Sequence, residues 1–599
     1  MTTTASAGII ATYRAQREAR QAVLDAKERA HVRFSRLRLL IVGAGAAVLV
    51  IGGLRALPWT LLPLALFVIV AVAHGQLLNA RGRAASAVAF FDRGLARMAH
   101  QWIGRGRTGD RFAPADHLFA ADLDVFGRGS LFEFVATTRT QAGEETLARW
   151  LLEPASPEVA TSRQAAVREL SARLDLREVV AVLGDQLRIG VDTTVLRAWA
   201  ASPIRLRGWP TRVAIFLLAA AAVLTLIGLL NTGSGGTVWI ALVLTEAAVA
   251  QWFRARVSAV VAAVDEPAHD LELLVGLLRV IERERFSSAY LRDLQARVGA
   301  TGHQASREIA ALSQLEAILA SRHNVLFALP AALMLWATQW AFAIEAWRRR
   351  SGHHIPAWLD AVGEFDALLA LGGLAAEHPD YVFPEFLSSP ATLDVHDLAH
   401  PLLPADAVPN SITLSRTGVQ LALVSGSNMS GKSTFLRALG ANVVLAQMGA
   451  PVRASAFRLS PLALGATIRV VDSLSDGQSR FFAEITRLKR IVDLTRAQDG
   501  AVLFLLDEIF GGTNSHDRRL GAEALLDGMV RAGAIGLATT HDLALGAIVD
   551  RLGPKAVNVH FDDRFEHDVL AFDYRLKPGI VQTSNALALM RSIGLDVQG

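Results

Sequence analysis

Two pairs of long apolar stretches constrain this chain more than any other feature. The first pair, Leu39–Leu54 and Ala56–Ala80, is interrupted only around Arg55–Pro58. The second pair, Val213–Leu230 and Val238–Phe253, is joined by a turn-forming segment, NTGSGGT. Stretches near 20 residues are long enough to cross a bilayer, although the first is shorter and the last contains Glu246. The sequence therefore predicts two transmembrane helical hairpins, with buried core helices as the alternative.

Composition supports this prediction and excludes several kinds of site. Hydrophobic residues make up 52% of the 599 residues and charged residues only 19%, below the usual share in soluble proteins. The chain has no cysteine, which excludes disulfides, thiol catalysis and cysteine-based metal sites. A formal net charge of +4 is too close to balance to indicate nucleic-acid binding by itself.

Arginines flank both apolar pairs and predict their orientation. The linkers within the hairpins are nearly uncharged. The arginines lie before and after each hairpin: Arg14, Arg17, Arg20, Arg29, Arg33, Arg36, Arg38, Arg81, Arg83, Arg93, Arg97, Arg205, Arg207, Arg212, Arg254 and Arg256. Because positive residues concentrate on the cytoplasmic side of a membrane, both termini and residues 81–212 are expected in the cytoplasm. The predicted location is the inner membrane, with multiple spans.

A fifth apolar stretch, Val325–Ile344, is long enough to span and is followed by Arg348–Arg350. A fifth span would move the rest of the chain to the outer side. The ATP chemistry expected of that region requires the cytoplasm, so we predict a buried or membrane-surface helix here.

The first functional motif in the last 200 residues is a predicted phosphate-binding loop. The apolar strand pattern Gln420–Ser425 leads into GSNMSGKST, residues 426–434, which fits G-x-x-x-x-G-K-S before a helix-forming stretch. We predict that Gly426, Ser427, Asn428, Met429, Ser430, Gly431, Lys432, Ser433 and Thr434 bind ATP. Lys432 would reach the β and γ phosphates, and Ser433 would ligate Mg²⁺.

Two further apolar strands end in residues that suit phosphate chemistry. Ala501–Leu506 ends in Asp507 and Glu508, where Asp507 would hold Mg²⁺ and Glu508 would activate the attacking water. Ala534–Thr539 leads to His541, a predicted partner of the γ-phosphate. Between the glycine-rich loop and the strand Ala501–Leu506, Gly477 and Ser479 precede a helical stretch, an arrangement that suits anion binding. In ABC-type ATPases this element covers the γ-phosphate of the opposite subunit.

These motifs together resemble the ATPase domain of the MutS family of DNA mismatch-repair proteins. GSNMSGKST is similar to the family's GPNMGGKST, and residues 472–484 are similar to its D-D-x-x-x-G-x-S-T-F-x-x-E. Residues 507–517 resemble D-E-x-x-x-G-T-S-x-x-D, and Thr540-His541 matches A-T-H. His400-Pro401, Asn410 and a tail around Ser584–Leu595 also fit. The resemblance covers about residues 390–599 and implies a Mg²⁺-dependent ATPase that acts as a dimer through Ser479.

A weaker resemblance upstream suggests the start of the MutS core, or lever, domain. It is carried by GSLFEF at residues 129–134, by Thr140, Gly143 and Leu147, by WLLEP at 150–154 and by RQAAV at 163–167. Residues 1–110 hold the first apolar hairpin, with no Phe-x-Glu mismatch wedge. The second hairpin falls about where MutS proteins insert a DNA clamp. The chain thus resembles a membrane-associated branch, and mismatch recognition is not carried over.

We therefore predict a multi-domain chain with α-helical membrane hairpins, a helical core and lever region, and a C-terminal α/β P-loop ATPase domain. The predicted boundaries are a basic helix with the first hairpin (1–110, spans 39–54 and 56–80), a core-like helical segment (111–212), the second hairpin (213–253), a lever segment (254–388) and the ATPase domain (389–599).

The expected function is that of a membrane-anchored, dimeric MutS-type ATPase that drives lever motion. DNA and an unidentified protein are its candidate partners, although the arginines are more simply explained by topology. An ABC transporter subunit is an alternative, because LSDGQ at 474–478 resembles LSGGQ. The 75 residues between Lys432 and Asp507 are too few for the helical subdomain of transporters. An ATP-gated scaffold without hydrolysis is a second alternative, and Glu508 argues against it.

Overall fold

The computed structural model describes residues 4–186, 193–265, 268–299, 304–324, 327–427, 429–469, 480–510, 515–566 and 569–581. Within these ranges the chain has a helical N-terminal region and a C-terminal α/β domain with mixed sheets. The helices before the first strand are α1 (Thr4–Gly52), α2 (Leu61–Met98), α3 (Leu131–Val135), α4 (Gln141–Leu152), α5 (Pro157–Ser171), α6 (Leu174–Gln186), α7 (Thr193–Ala201), α8 (Trp209–Thr232), α9 (Gly236–Asp265), α10 (Ala268–Arg283), α11 (Ala289–Gly299), α12 (Ala305–Ala320), α13 (Ala328–Leu333), α14 (Trp336–Ser351) and α15 (Ile355–Glu377).

The α/β domain follows α15. Its elements are β1 (Glu385–Phe386), β2 (Thr392–Leu398), β3 (Asn410–Ser415), β4 (Leu421–Ser425), α16 (Lys432–Met448), β5 (Ala456–Leu459), β6 (Ala463–Thr467), α17 (Arg480–Ala497), β7 (Val502–Leu506), α18 (Ser515–Arg531), β8 (Ile535–Thr540), α19 (Ile548–Leu552), β9 (Ala556–Glu566) and β10 (Val569–Pro578). The first strand thus begins four residues before the predicted start of the domain at residue 389.

The first hairpin consists of α1 and α2, joined by a 3₁₀ turn, Gly53–Thr60. Helix α1 begins at Thr4, far ahead of the apolar stretch, because residues 4–38 are rich in the helix formers Ala and Arg. Two bidentate ion pairs attach the hairpin to the helical region. Arg20 donates to Glu178 at 2.6 and 2.9 Å, and Arg97 to Glu377 at 2.6 and 2.5 Å.

Four helices in the described residues are long and apolar enough to cross a membrane, judged by length and composition. They cover Ser6–Gly52, Leu57–Met98, Trp209–Thr232 and Gly236–Ala262, and their apolar windows are between 6% and 17% buried. Glu246 in α9 is an exception to this exposure, because its side chain is buried. Both predicted apolar hairpins are therefore pairs of long helices with exposed apolar surfaces.

The fifth apolar stretch is divided between two short helices. Leu335 has a left-handed φ of 48° between α13 and α14, which interrupts any continuous span. Helix α14 buries Phe342, Ile344 and Trp347 in the main core. Of the two predicted positions, a buried or a membrane-surface helix, α14 fits the buried one, whereas Leu329 of α13 and the adjoining Met334 are exposed.

Helix α15 is the centre of the helical region and packs against α4, α5 and α11. Its buried Asp366 accepts hydrogen bonds at 2.8 Å from the Arg139 amide, the Thr140 amide and the Thr140 hydroxyl. Thr140 in turn caps α4 by accepting the Gly143 amide. The buried carboxylate thus fixes the start of α4 without a dedicated counter-ion.

The larger sheet has the strand order β10-β9-β4-β8-β7-β6. Strands β9, β4, β8, β7 and β6 are parallel, and β10 is antiparallel to β9. Alternate residues of β4 face opposite cores: Ala422 and Val424 join the core that includes α16, whereas Leu421 and Leu423 join the one that includes α17 and α18. This burial on both faces explains the continuous apolar strands. A smaller sheet, β1-β5-β2-β3, adjoins it.

Candidate functional site

Three of the predicted site segments meet at one edge of the parallel sheet. Strands β4, β8 and β7 are neighbours, with Ser425 opposite Thr540 and Leu506 opposite Ala538. The residues that follow them are the glycine-rich loop, His541 and the Asp507-Glu508 pair. Because parallel strands end on the same side, these segments surround one space, as in other open α/β sheets.

The loop between β4 and α16 requires glycine at both ends. Gly426 has a φ of +150°, and a Cβ there would lie 2.8 Å from the Ser430 hydroxyl and 2.9 Å from the Phe561 carbonyl oxygen. Gly431, at +106°, immediately precedes α16. The hydroxyls of Ser427 and Ser430 are buried without hydrogen-bond partners. A tight loop with unused donors at a helix N-terminus fits a phosphate group.

Lys432 is held over this loop. Its Nζ donates at 2.9 Å to the carbonyl oxygens of both Gly426 and Ser427. The side chain is 5% exposed, and its Nζ lies 3.8 Å from Glu508 Oε1. Burial lowers the pKa of Lys432, and the nearby Glu508 and Asp507 oppose that shift. The ammonium therefore faces the space between the loop and the two carboxylates.

The two carboxylates after β7 are positioned by neighbouring strands. The Asp507 amide donates to the Thr467 carbonyl oxygen at 2.8 Å. The Thr539 hydroxyl accepts the Glu508 amide at 3.0 Å and donates to the Asp507 carboxylate. Glu508 adopts a left-handed φ of 45° and is exposed. Asp507 is thus restrained beside the sheet, while Glu508 is directed towards the open space.

His541 lies between Glu508 and Arg518. Its Nδ1 is 3.7 Å from Glu508 Oε2, and its Nε2 is 3.1 Å from Arg518 Nη1. A guanidinium can only donate, so Nε2 accepts and the proton of a neutral imidazole lies on Nδ1. Arg518 therefore orients the histidine so that its N–H faces the carboxylate.

A cavity of about 530 Å³ opens beside the loop. Gly431, Lys432, Ser433, Thr434 and Glu508 are among its lining residues. Its far side is formed by apolar and aromatic groups together with His400: Leu398, His400, Pro404, Phe561 and Tyr574. A volume of this size suits a small-molecule ligand such as a nucleotide.

Several residues around this site were not predicted from the sequence. Arg518 and Thr539 orient the predicted catalytic groups, and Tyr574 lines the cavity from β10. Asn410, noted only as part of the resemblance, bonds the Tyr574 carbonyl oxygen at 3.0 Å and the Leu576 amide at 2.7 Å. These contacts join segments that are far apart in sequence, so no local sequence pattern indicates them.

Other predicted residues lie outside the described part of the chain. They are Asn428, Gly477, Ser479 and the tail resemblance at Ser584–Leu595. The described residues contain no cluster of three or more histidine or acidic side chains that could hold a metal alone. Mg²⁺ usually takes one or two carboxylates and completes its shell with phosphates and water. A site built from Ser433, Asp507 and a bound nucleotide fits that pattern.

An N-terminal segment, Asp116–Asp124, docks on the α/β domain beside this site. The buried Asp122 accepts hydrogen bonds at 2.7 Å from the Ile468 and Arg469 amides and pairs with Arg487. Asp124 pairs with Arg469 at 2.5 Å and with Arg437 of α16 at 3.5 Å. The segment thus holds both the helix after the glycine-rich loop and the residues that follow β6.

Comparison with known proteins agrees with the geometry of this domain. Residues 422–598 match the family model for MutS domain V. The chain is 33% identical over 241 residues to DNA mismatch repair protein MSH3 of Phaeosphaeria nodorum, covering 39% of this chain and 21% of that protein. It is 34% identical over 246 residues to DNA mismatch repair protein MutS of Natronomonas pharaonis, covering 39% and 27%.

A third relative is the endonuclease MutS2 of Thermus thermophilus, 32% identical over 246 residues, which cover 40% of this chain and 31% of that protein. The chain therefore spans between about a fifth and a third of the length of these relatives. The matches concern the α/β domain, which is similar to the corresponding part of these MutS-family proteins.

Proposed function

We propose that this protein is a membrane-anchored MutS-type ATPase that works as a dimer. The observation that carries the proposal is the convergence of Lys432, Glu508 and His541 on one glycine-rich loop beside a cavity of about 530 Å³. Family resemblance alone leaves open whether the chain hydrolyses ATP. A carboxylate 3.8 Å from the loop lysine and 3.7 Å from a neighbouring histidine supplies the group that hydrolysis needs.

Each residue has a distinct role in this proposal. The loop Gly426–Gly431 and Lys432 bind the phosphates, and Ser433 with Asp507 would hold Mg²⁺, which would supply positive charge to neutralise the phosphates. Glu508 accepts a proton from the attacking water. His541 donates its Nδ1 proton towards Glu508 or the γ-phosphate, and Arg518 keeps the ring in that orientation. Ser479 of the partner chain would complete the site, as the family resemblance implies.

Membrane anchoring is the second part of the proposal. Large apolar side chains on the hairpins are widely exposed, among them Leu39, Ile51, Leu62 and Leu230. Exposed apolar surfaces of this extent indicate contact with lipid or another protein, and four helices of sufficient length favour lipid. Together with the flanking arginines, this supports an inner-membrane location with the ATPase domain in the cytoplasm. DNA and an unidentified protein remain candidate partners.

Substitution of Glu508 tests the catalytic assignment. The purified Glu508→Gln protein should bind ATP with ordinary affinity but hydrolyse it at least about 100-fold more slowly, because a general base contributes about 10²–10⁴-fold. Glu385→Gln, an exposed glutamate of β1, is the matched control and should keep full activity. Equal hydrolysis by the wild type and the Glu508 variant would refute the role of Glu508 as base.

A further inference from the structure

A second large cavity lies far from the glycine-rich loop, where the end of α2 meets the helical region. Its volume is about 710 Å³, and it shares no lining residue with the cavity beside the glycine-rich loop. We call it the arginine cleft. Its walls come from α2, from the segment Trp102–Arg107, from Glu133–Arg139 and from the end of α6.

Five arginines line the arginine cleft: Arg93, Arg97, Arg105, Arg107 and Arg139. Their acidic partners are too few. Arg93 and Arg139 share the single carboxylate of Asp185, at 2.8 and 2.6 Å. Arg107 shares Glu144 with Arg111.

Arg105 forms no ion pair with any described residue, although its side chain lines the cleft. Glu133, which also lines the cleft, is already occupied by the backbone amides of Gly104, Gly106 and Gly129, at 2.7, 3.1 and 2.7 Å. The remaining acid, Asp92, pairs with Arg17 on α1. The cleft therefore carries an excess of positive charge that its own acids leave unbalanced.

Two neutral donors in the same walls are buried without partners. Trp102 Nε1 and the Thr138 hydroxyl have no hydrogen bond, and both side chains are at most 5% exposed. Such groups are costly to bury unless something satisfies them. Burial and the adjacent Arg93 lower the pKa of Arg139 to about 10, although Asp185 and Asp366 oppose that shift. Trp102 and Thr138 are thus lining residues of the cleft with unsatisfied donors, beside its arginines.

We propose that the arginine cleft binds a soluble phosphorylated molecule of nucleotide size. Phosphate oxygens are acceptors only and carry the charge that the guanidiniums need, and planar guanidinium groups bind them in pairs. Alanines of α2 and Ala136 supply a small apolar wall for the rest of the ligand. The volume lies within the range of small-molecule sites.

The position of the cleft favours a soluble ligand over a lipid headgroup. Its α2 residues, from Ala85 to Arg97, lie beyond the apolar stretch that ends at Ala80. At a rise of 1.5 Å per residue, Ala85 lies about 8 Å and Arg97 about 25 Å along the helix from Ala80. A ligand there would contact both α2 and α6, and so would strengthen the attachment of the first hairpin to the helical region.

Binding of inorganic pyrophosphate by the full chain in phosphatidylcholine nanodiscs tests this proposal. All proteins carry Lys432→Ala, which weakens binding at the glycine-rich loop. Arg105→Ala should weaken pyrophosphate binding, measured by calorimetry, at least about tenfold, since hydrogen bonds to charged groups are the strong ones. Arg128→Ala removes an exposed arginine of the neighbouring segment that does not line the cleft, and it should leave the affinity unchanged.

Thr138→Val distinguishes a ligand site from a structural cluster. Because the hydroxyl has no partner, the valine protein should melt at the same temperature or higher, yet bind pyrophosphate at least about fivefold more weakly. Equal affinity of the parent, Arg105→Ala and Thr138→Val proteins, or no binding at all, would overturn the proposal.

Nanodiscs containing phosphatidylglycerol distinguish a soluble phosphorylated ligand from a lipid headgroup as the source of the phosphate. They should leave the affinity for pyrophosphate unchanged, and a loss of affinity that disappears in Arg105→Ala would identify a lipid headgroup instead. ATP hydrolysis by Arg105→Ala with Lys432 intact should equal that of the wild type, so the fate of this proposal is independent of the ATPase assignment.

Discussion

His400 shows how the environment of a single residue changes its chemistry. It is buried beside the nucleotide-sized cavity, and its Nδ1 accepts the Leu402 amide at 3.2 Å. Burial, with the nearby Arg437 and Arg453, lowers its pKa to about 4. The imidazole is therefore neutral in the folded protein at any pH near neutrality, and it presents no positive charge to a bound nucleotide.

This burial predicts a specific loss of stability in acid. Below its ordinary pKa of about 6.5, His400 binds a proton only in the unfolded chain, so stability falls as pH falls from about 6.5 to about 4. The full effect is about 3 kcal/mol at 1.36 kcal/mol per pKa unit. In detergent, the melting temperature of His400→Gln should decrease less between pH 7.5 and pH 5 than that of the wild type.

His323 provides the control for this comparison, because it is exposed. His323→Gln should show the same pH dependence as the wild type, whatever its absolute melting temperature. Parallel curves for the wild type and His400→Gln would mean that His400 does not carry the acid sensitivity.

At the level of elements, the segment Asp116–Asp124 links the N-terminal region to the α/β domain. Residues 113–130 contain no helix or strand, and Pro114, Gly127 and Gly129 disfavour regular structure there. The segment contacts the domain through carboxylates that accept backbone amides and pair with arginines, and through the buried Leu123, which packs against Gly440 of α16. A movement of α16 or of the residues after β6 would therefore be transmitted to the N-terminal helices through Asp122 and Asp124.

Removing the Asp122 carboxylate should disrupt this link. Asp122→Ala leaves two amides and the Arg487 guanidinium without their acceptor, and breaking a buried pair costs about 3–5 kcal/mol. We expect a clearly lower melting temperature and reduced ATP hydrolysis. Asp116→Ala breaks an ion pair with Arg490 whose aspartate is 80% exposed, and it should cost no more than about 1 kcal/mol. Similar effects of the two substitutions would contradict a special role for Asp122.

The sequence predicted those elements and site residues whose signals are local. Length and hydropathy marked the four long helices, and the glycine-rich loop, Asp507, Glu508 and His541 each follow an apolar strand directly. The basic helix predicted before the first apolar stretch continues into that stretch as one helix, α1, from Thr4 to Gly52. Leu335 breaks the fifth stretch through a backbone conformation that no local pattern indicates. Arg518, Thr539, Tyr574 and Asp122 act across long separations, which only the folded chain reveals.

On the scale of the whole molecule, the number of spans decides on which side of the membrane the α/β domain lies. Four candidate spans form two hairpins, and the fifth apolar stretch is broken at Leu335, after which α14 packs in the helical core. An even number of spans returns the chain to the side on which it began. The arginines that flank each hairpin favour the cytoplasm for that side.

Reporter fusions test this topology directly. Fusions after residues 20, 140, 300 and 599 should all report the cytoplasm, because each lies outside the two hairpins, and fusions near residues 55 and 235 should report the exterior. Two reporters active on opposite sides of the membrane, placed at the same positions, should give reciprocal signals, which controls for failed expression. An external signal after residue 599 with a cytoplasmic one after residue 300 would mean that the stretch Val325–Ile344 spans the bilayer. The ATPase domain would then lie outside the compartment that supplies ATP, and the proposed function would fail together with the four-span arrangement.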